Sequence, residues 1–134
     1  MTTSSNRPVP LSATGAPGSI GFYSPAVRAG DFIFTAGQLP VNPETGEFVR
    51  GSVEEQTDRI LRNIQNLLER NDSGLEYVVK STIFLRHVSM WDAVNAVYAR
   101  YFEGTTPPAR GVYCGLDINY GLDVEIEVIA MVKK

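Results

Sequence analysis

Residues 124–131, which read VEIEVIAM, place the strongest constraint on how this chain can fold. Because side chains alternate between the two faces of a strand, one face of this stretch is entirely apolar and predicts burial against a core. The other face mixes two acids with two large apolar side chains: Glu125, Glu127, Ile129 and Met131. That face is too apolar for water and too acidic for a core, so we expect another subunit to cover it.

Two segments with helical periodicity separate the β-rich runs. Ser52 and Glu55 have the spacing of a capping box, and they introduce the amphipathic stretch EEQTDRILRNIQNLLER. Ser89 and Asp92 repeat that spacing ahead of a second amphipathic stretch, whose apolar stripe comprises Trp91, Val94, Tyr98 and Tyr101. The element order β-β-α-β-α-β-β predicts an α+β fold, a mixed sheet with two helices packed on one face.

Two β-rich segments give more local expectations. Gly30-Asp31 lies between two short apolar runs and predicts a tight hairpin. The segment LEYVVKSTIFLRH predicts a longer strand because it is rich in β-branched and aromatic residues. Strict alternation places four of its residues on one face: Val79, Ser81, Ile83 and Leu85.

Length and composition favour a single domain with an arm before it. The 134 residues suit one domain and leave no room for two. Residues 1–18 are polar and predict a flexible N-terminal arm, and residues 19–134 predict the folded domain. We find no signal-peptide apolar region and no run long enough for a membrane span, so we expect a cytoplasmic protein without a membrane partner.

Charge and the few metal-binding residue types narrow the function classes. The formal net charge of −3 argues against a general nucleic-acid partner, which would need a basic face. Cys114 and His87 are the only cysteine and histidine. Two such residues do not supply a zinc site, so we predict no metal and no disulfide within the chain.

The segment TTPPARGVYCG carries the residue that most directly suggests a binding site. Pro107 and Pro108 form a stiff, extended approach to Arg110 at the start of a predicted strand. One interpretation is that Arg110 is a solvated charge at a sheet edge. The other is that its guanidinium binds an anion, because its planar fork can grip a carboxylate with two hydrogen bonds.

Seven blocks of this sequence, in order and with matching spacing, resemble the YjgF/RidA family of reactive intermediate deaminases. They lie between about Gly21 and Lys133 and read FYSPAV, FIFTAGQLPVNPETGE, EEQT, VVKSTIFL, AVNAVYARYF, PPAR and VEIEVIA. The resemblance implies a chorismate-mutase-like fold and a homotrimer with ligand sites in clefts between subunits. The predicted sharing of the last strand agrees with that assembly.

The resemblance also implies roles for individual residues. Arg110 matches the arginine that clamps the substrate carboxylate, and Glu125 matches the acid that orients the attacking water. Glu125 could equally be a structural glutamate paired with a cation, and we expect Glu127 to be structural. Tyr23 matches a tyrosine that lines the cleft, with ordinary aromatic packing as the alternative.

Two more positions match the family, and several depart from it. Gly37 matches a glycine whose backbone approaches the ligand, and Asn95 matches a helix position near the site, although it could be an ordinary polar cap. Ala36 replaces a common serine, and Val112 stands where deaminases often carry cysteine. The unusual loop at residues 117–123 makes its Asp117 and Tyr120 candidates for a changed rim of the substrate site.

The function implied is hydrolysis of short enamines or imines that bear a carboxylate, of the 2-aminoacrylate type, to 2-keto acids and ammonia. Such a site needs no metal or organic cofactor. Two alternatives remain: a non-catalytic trimer that binds small carboxylates, and a deaminase of a larger, pathway-specific aminated acid. Ribonuclease activity fits poorly, because the chain is acidic and has no histidine pair.

Overall fold

The computed structural model describes residues 7–12 and 21–134, and their strands form one six-stranded sheet in the order β1-β2-β3-β6-β4-β5. The strands are β1 (Val9–Leu11), β2 (Ala26–Ala29), β3 (Phe32–Thr35), β4 (Val78–Leu85), β5 (Ala109–Cys114) and β6 (Val124–Met131). The helices are α1 (Val53–Glu69) and α2 (Trp91–Phe102). Only β4 and β5 pair in parallel. The predicted α+β fold with a mixed sheet is confirmed.

Helix α1 begins and packs as its sequence predicts. Ser52 has an extended backbone and its hydroxyl accepts from the Glu55 amide at 3.2 Å, while the Glu55 carboxylate accepts from the Ser52 amide at 3.1 Å. These reciprocal bonds satisfy two backbone donors that a helix start leaves unpaired. The apolar stripe is buried in the core: Ile60, Leu61, Ile64, Leu67 and Leu68.

Helix α2 begins differently, and the predicted cap at Ser89 is wrong. Ser89 lies inside a 3₁₀ turn, Val88–Met90, and the N-cap is Met90, which makes no side-chain cap hydrogen bond. The backbone of Met90 is already in the helical region (φ −84°, ψ −8°). A capping side chain requires an extended backbone at the N-cap, which the preceding turn does not allow here.

The core lies between the helices and one face of the sheet. The four apolar residues of β6 that alternate inward are buried: Val124, Ile126, Val128 and Ala130. On β4, Ser81, Ile83 and Leu85 are buried as predicted, but Val79 is exposed and Val78 is buried instead. A register shift between Val78 and Lys80 causes the difference, because the extra residue of a bulge breaks strict alternation.

The first hairpin forms as predicted, and it carries one strand that the sequence did not indicate. Ala29 pairs with Phe32 around Gly30, whose φ of 58° suits glycine in a tight turn. Strand β1 pairs with β2, so the expectation of a flexible arm is wrong for Val9–Leu11. This strand is short and contains Pro10, which only a sheet edge accepts readily. The boundary predicted at residue 18 lies outside the described residues.

Among the described residues, no helix combines the length and apolar character that crossing a membrane requires.

The two serines with the same capping spacing form a matched pair for testing helix stability. We expect Ser52→Ala to lower the free energy of unfolding by about 1 kcal/mol, because it removes a cap. Ser89→Ala should change it by less than about 0.5 kcal/mol. Urea unfolding at fixed protein concentration measures both, and equal losses would contradict the assignment of the caps.

Candidate active site

Arg110 lies near the start of the edge strand β5, and its guanidinium rests on an aromatic platform. Its Cζ is 4.6 Å from the ring centroid of Trp91 and 4.9 Å from that of Tyr98. Its Nη1 donates to the Asn95 side-chain oxygen at 2.9 Å. Contact with both ring faces favours the cation electrostatically, and the hydrogen bond fixes the orientation of the guanidinium.

The platform follows from helical spacing and one buried hydrogen bond. Trp91, Asn95 and Tyr98 are four and three residues apart on α2, so they lie along one side of the helix. Arg110 pairs in register with Ser81, whose hydroxyl is 2.8 Å from the Tyr98 hydroxyl in the core. Burial of the Tyr98 phenol raises its pKa, so the ring stays neutral beneath the cation.

Arg110 keeps donors for a ligand. In the described part of the chain no carboxylate forms a salt bridge with it, and its one side-chain hydrogen bond goes to the neutral amide of Asn95. A guanidinium has five donors, so a planar anion can still be gripped by two parallel bonds. The geometry therefore suits an anion-binding arginine.

Glu125 and Gly37 form the second part of the site. Reciprocal backbone hydrogen bonds between Gln38 and Ile126 hold the two segments side by side. A Cβ on Gly37 would overlap the Glu125 carboxylate and would lie 2.8 Å from its Cδ. The absence of a side chain at position 37 is therefore what lets the carboxylate occupy this place. Tyr23 is exposed and lies two residues before Pro25, whose carbonyl accepts from the Ala36 amide at 2.8 Å.

Burial raises the pKa of the Glu125 carboxyl, and the negative charge of Glu127 on the same face raises it further. A carboxyl group with a raised pKa holds a proton more readily near neutrality than an ordinary glutamate does. Such a group suits proton transfer to or from a reacting molecule. The environment of Glu125 thus fits the acid–base role that the family resemblance implies.

The two halves of the candidate site lie on opposite faces of the sheet. Arg110 shares the helix-covered face with Ser81, whereas Glu125 shares the other face with Phe84. Strand β4 lies between their strands. One subunit therefore brings Arg110 and Asn95 together, and Glu125 and Gly37 together, but it does not bring the two pairs together.

The face that carries Glu125, which we call the open face, is the apolar and acidic face expected from the sequence. Its large side chains stay exposed in the single chain: Phe32, Phe34, Tyr113 and Met131. Phe84 stacks on Tyr113 with ring centroids 5.9 Å apart. Glu125, Glu127 and Ile129 are half-buried among these residues.

Tyr120 belongs to neither half and lies on the loop that leads into β6. Its ring stacks on Phe48 with centroids 4.8 Å apart. Asp117 is exposed, and Val112 faces the helices two residues beyond Arg110.

Sequence reasoning assigned Trp91 and Tyr98 to an apolar stripe and missed their contact with Arg110. The signal was Asn95, a polar residue within that stripe.

Comparisons with known proteins identify the family. The family model described as endoribonuclease L-PSP matches residues 13–132. A RutC family protein of Pyrococcus abyssi is 43% identical over 115 residues, covering 86% of this chain and 90% of the relative. Reactive Intermediate Deaminase A, chloroplastic, of Arabidopsis thaliana is 37% identical over 130 residues, covering 97% and 69% respectively. The chain belongs to this family, the YjgF/RidA family that the seven sequence blocks resemble.

A solved structure has the same fold as this chain. The crystal structure of TdcF from E. coli with bound serine superposes with a TM-score of 0.85 at 29% identity, covering 93% of this chain and 98% of TdcF. Within residues 7–12 and 21–134, no three His, Cys, Asp or Glu side chains group together as ligands for a metal ion.

The raised pKa of Glu125 predicts a specific pH dependence of stability. The folded protein binds the Glu125 proton more tightly than the unfolded chain, so this carboxyl stabilises the fold below its ordinary pKa of about 4.3 and loses that contribution as the pH rises through the folded value. We expect Glu125→Gln to have a higher melting temperature than wild type at pH 7 to 8, with the gap closing below pH 4.

The exposed Glu44 provides the control, because Glu44→Gln removes one carboxylate without removing a buried one. Scanning calorimetry from pH 3 to 8 measures both variants. A Glu125→Gln protein less stable than wild type at pH 8 would show that the carboxylate is stabilised by a partner rather than penalised by burial.

Proposed function

We propose that this protein hydrolyses short imines that carry a carboxylate, and the enamines that tautomerise to them, giving 2-keto acids and ammonia. The observation that carries the proposal is the Arg110 guanidinium, oriented by Asn95 and by two aromatic rings and free of a carboxylate partner in the described residues. A carboxylate-bearing substrate supplies the missing anion. Charge-assisted hydrogen bonds of this kind contribute about 1.5–3 kcal/mol each.

The two halves of the site meet in this proposal when subunits assemble. The open face of one chain is covered by neighbouring chains in a homotrimer, and the site forms in the cleft between them. Arg110 and Asn95 come from one subunit, and Gly37, Glu125 and Tyr23 come from the next. Their placement on opposite faces of one sheet favours this arrangement, because no single chain presents them to the same small molecule.

The chemistry requires one molecule of water. Arg110 holds the carboxylate, and the imine carbon becomes accessible to a water molecule oriented by Glu125. Water adds to the carbon of the C=N bond, and Glu125 accepts a proton from the water and passes it to the nitrogen, which gives a carbinolamine. Glu125 then transfers the hydroxyl proton to the same nitrogen, the C–N bond breaks as ammonia leaves with the electron pair, and the oxygen forms the C=O bond of the keto acid. Positioning and acid–base assistance supply the acceleration.

Two relatives support this reaction class. The Arabidopsis relative is named a reactive intermediate deaminase. The E. coli TdcF crystal holds serine, an amino acid whose α-carboxylate offers the same anchor that we propose for Arg110. The name of the first relative supports a deaminase reaction, and the serine bound to the second supports a site that holds a carboxylate.

Ribonuclease activity, which the description of the family model suggests, receives less support from this chain. The net charge is −3 and the single histidine, His87, is exposed in the turn before α2. Binding of a polyanion needs a basic surface, and general acid–base cleavage of RNA needs a pair of suitably placed groups.

Removal of the Arg110 guanidinium tests the carboxylate clamp. We expect Arg110→Ala to lower kcat/KM for 2-iminopropanoate by at least about 10²-fold, since it removes two charge-assisted bonds. Arg110→Lys should recover little, because an ammonium cannot make the bidentate contact. Imines generated by an amino-acid oxidase and trapped with semicarbazide report turnover. Arg100→Ala, which removes an exposed arginine of the same helix-covered side, serves as the control.

Glu125→Gln, in the same assay, separates catalysis from binding. We expect turnover to fall while pyruvate binding persists. Wild-type activity in Arg110→Ala would contradict the clamp, and pyruvate binding by a wild-type protein that turns over no imine would favour the non-catalytic carboxylate-binding trimer.

A charge placed on the open face tests the assembly. We expect the wild-type protein to have three times the 14.7 kDa chain mass in solution. Phe34→Glu adds a carboxylate to a face that already holds two, so it should yield monomers that turn over no imine. Val88→Glu alters an exposed residue away from this face and should remain trimeric. Light scattering after size-exclusion chromatography measures the mass of each protein in solution. A wild-type monomer would contradict a site built from two subunits.

A further inference from the structure

An aromatic pair on the loop before β6 has no role in the mechanism proposed above. Tyr120 stacks on Phe48 with ring centroids 4.8 Å apart and an interplanar angle of 30°. The Arg50 guanidinium lies 5.6 Å from the Phe48 centroid. Tyr120 nevertheless keeps 49% of its surface exposed. The pair is therefore a preformed aromatic surface with room for another flat group.

The backbone of Tyr120 is held in an unfavourable conformation to present this ring. Its φ of 65° and ψ of 18° lie in the left-handed region, which residues other than glycine, asparagine and aspartate rarely adopt. The following residue, Gly121, has a φ of 70°. A bulky residue in this region is strained, and such strain concentrates at functional sites.

Three polar contacts fix the loop in this state. The Arg50 Nη1 donates to the Tyr120 carbonyl at 2.7 Å. The Arg86 Nε donates to the Leu122 carbonyl at 3.3 Å, and the Asp123 amide donates to the Gln56 side chain at 2.9 Å. Bonds at Tyr120 and at two of the three residues that follow it therefore hold the backbone of the loop in place.

The aromatic pair lies on the two chain segments that carry the Glu125 half of the site. Tyr120 lies on the loop that enters β6 just before Glu125. Phe48 pairs with Val41, on the segment that continues from Gly37 and Gln38. Both rings thus come from the two segments that the Gln38–Ile126 hydrogen bonds hold together next to the carboxylate.

We propose that Tyr120, supported by Phe48, is a specificity-determining residue that selects imino acids with an aromatic side chain. This inference rests on the proposed function and adds its substrate class. With the carboxylate on Arg110 and the reacting carbon at Glu125, the side chain of the substrate extends toward the Tyr120 ring. Stacked aromatic pairs gain interaction energy beyond burial, so an aromatic substrate is favoured over one with a methyl group.

Binding and turnover with two side chains test the inference. Calorimetry measures the affinity for phenylpyruvate and for pyruvate, and semicarbazide trapping measures turnover of the imines from phenylalanine and alanine. We expect wild type to favour the aromatic compounds by about tenfold. Tyr120→Ala should bring the ratio close to one, because it weakens the binding of phenylpyruvate more than that of pyruvate. Tyr120→Phe should keep the ratio, because the ring and not the hydroxyl makes the contact.

Two further variants control for structure. Tyr77→Ala removes a tyrosine on a different 3₁₀ turn, which contacts Lys133, and should leave the ratio at the wild-type value. Tyr120→Gly should be more stable than Tyr120→Ala, because glycine accepts the left-handed backbone, yet it should have equally low selectivity.

The outcomes separate this inference from the proposed function. An unchanged ratio in Tyr120→Ala, or an equal loss of affinity for both keto acids, overturns the aromatic selectivity even when imines are hydrolysed. Selective keto-acid binding that Tyr120→Ala abolishes, in a protein without imine turnover, supports the aromatic surface and overturns the hydrolysis. A wild-type protein that binds neither keto acid overturns both.

Discussion

Strand β6 lies at the centre of the sheet between β3 and β4, and its two faces determine the rest of the structure. Its inner face is wholly apolar, and burial against the helices fixes the register of both neighbouring strands. Alternation then sends Glu125 and Glu127 to the outer face, where burial and mutual repulsion raise the pKa of Glu125. A single strand thus joins the core, the face proposed for assembly and the proposed acid–base group.

The Arg110 half of the site depends on a different arrangement. A cation at a sheet edge would ordinarily be solvated, but α2 places two rings beside Arg110, and the bond between Ser81 and Tyr98 holds one of them in the core. The guanidinium is therefore held in position, and among the described residues no carboxylate forms a salt bridge with it. That combination of order and unsatisfied charge is the property that a substrate anion exploits in the proposed mechanism.

Sequence patterns predicted the elements whose signals were local. The capping box at Ser52, the hairpin at Gly30 and the alternation of β6 each depend on neighbouring residues, and each is confirmed. The errors arose where tertiary context intervenes: the bulge beside Val79, the 3₁₀ turn that contains Ser89, and the short edge strand β1. The separation of Arg110 and Glu125 onto opposite faces could not be predicted from spacing, because it depends on the strand order. Their functional roles stay predictions.

The strand order also has a consequence for biosynthesis. Strand β6 follows every other strand in the chain but occupies the middle of the sheet, so it leaves the ribosome after its partners. Until it inserts, β3 and β4 both present unpaired edges beside a largely apolar core surface. Such edges template aggregation, and closing the sheet depends on pairings distant in sequence. The nascent protein is therefore most vulnerable until β6 has emerged and paired, and chaperone protection has the greatest effect in that interval.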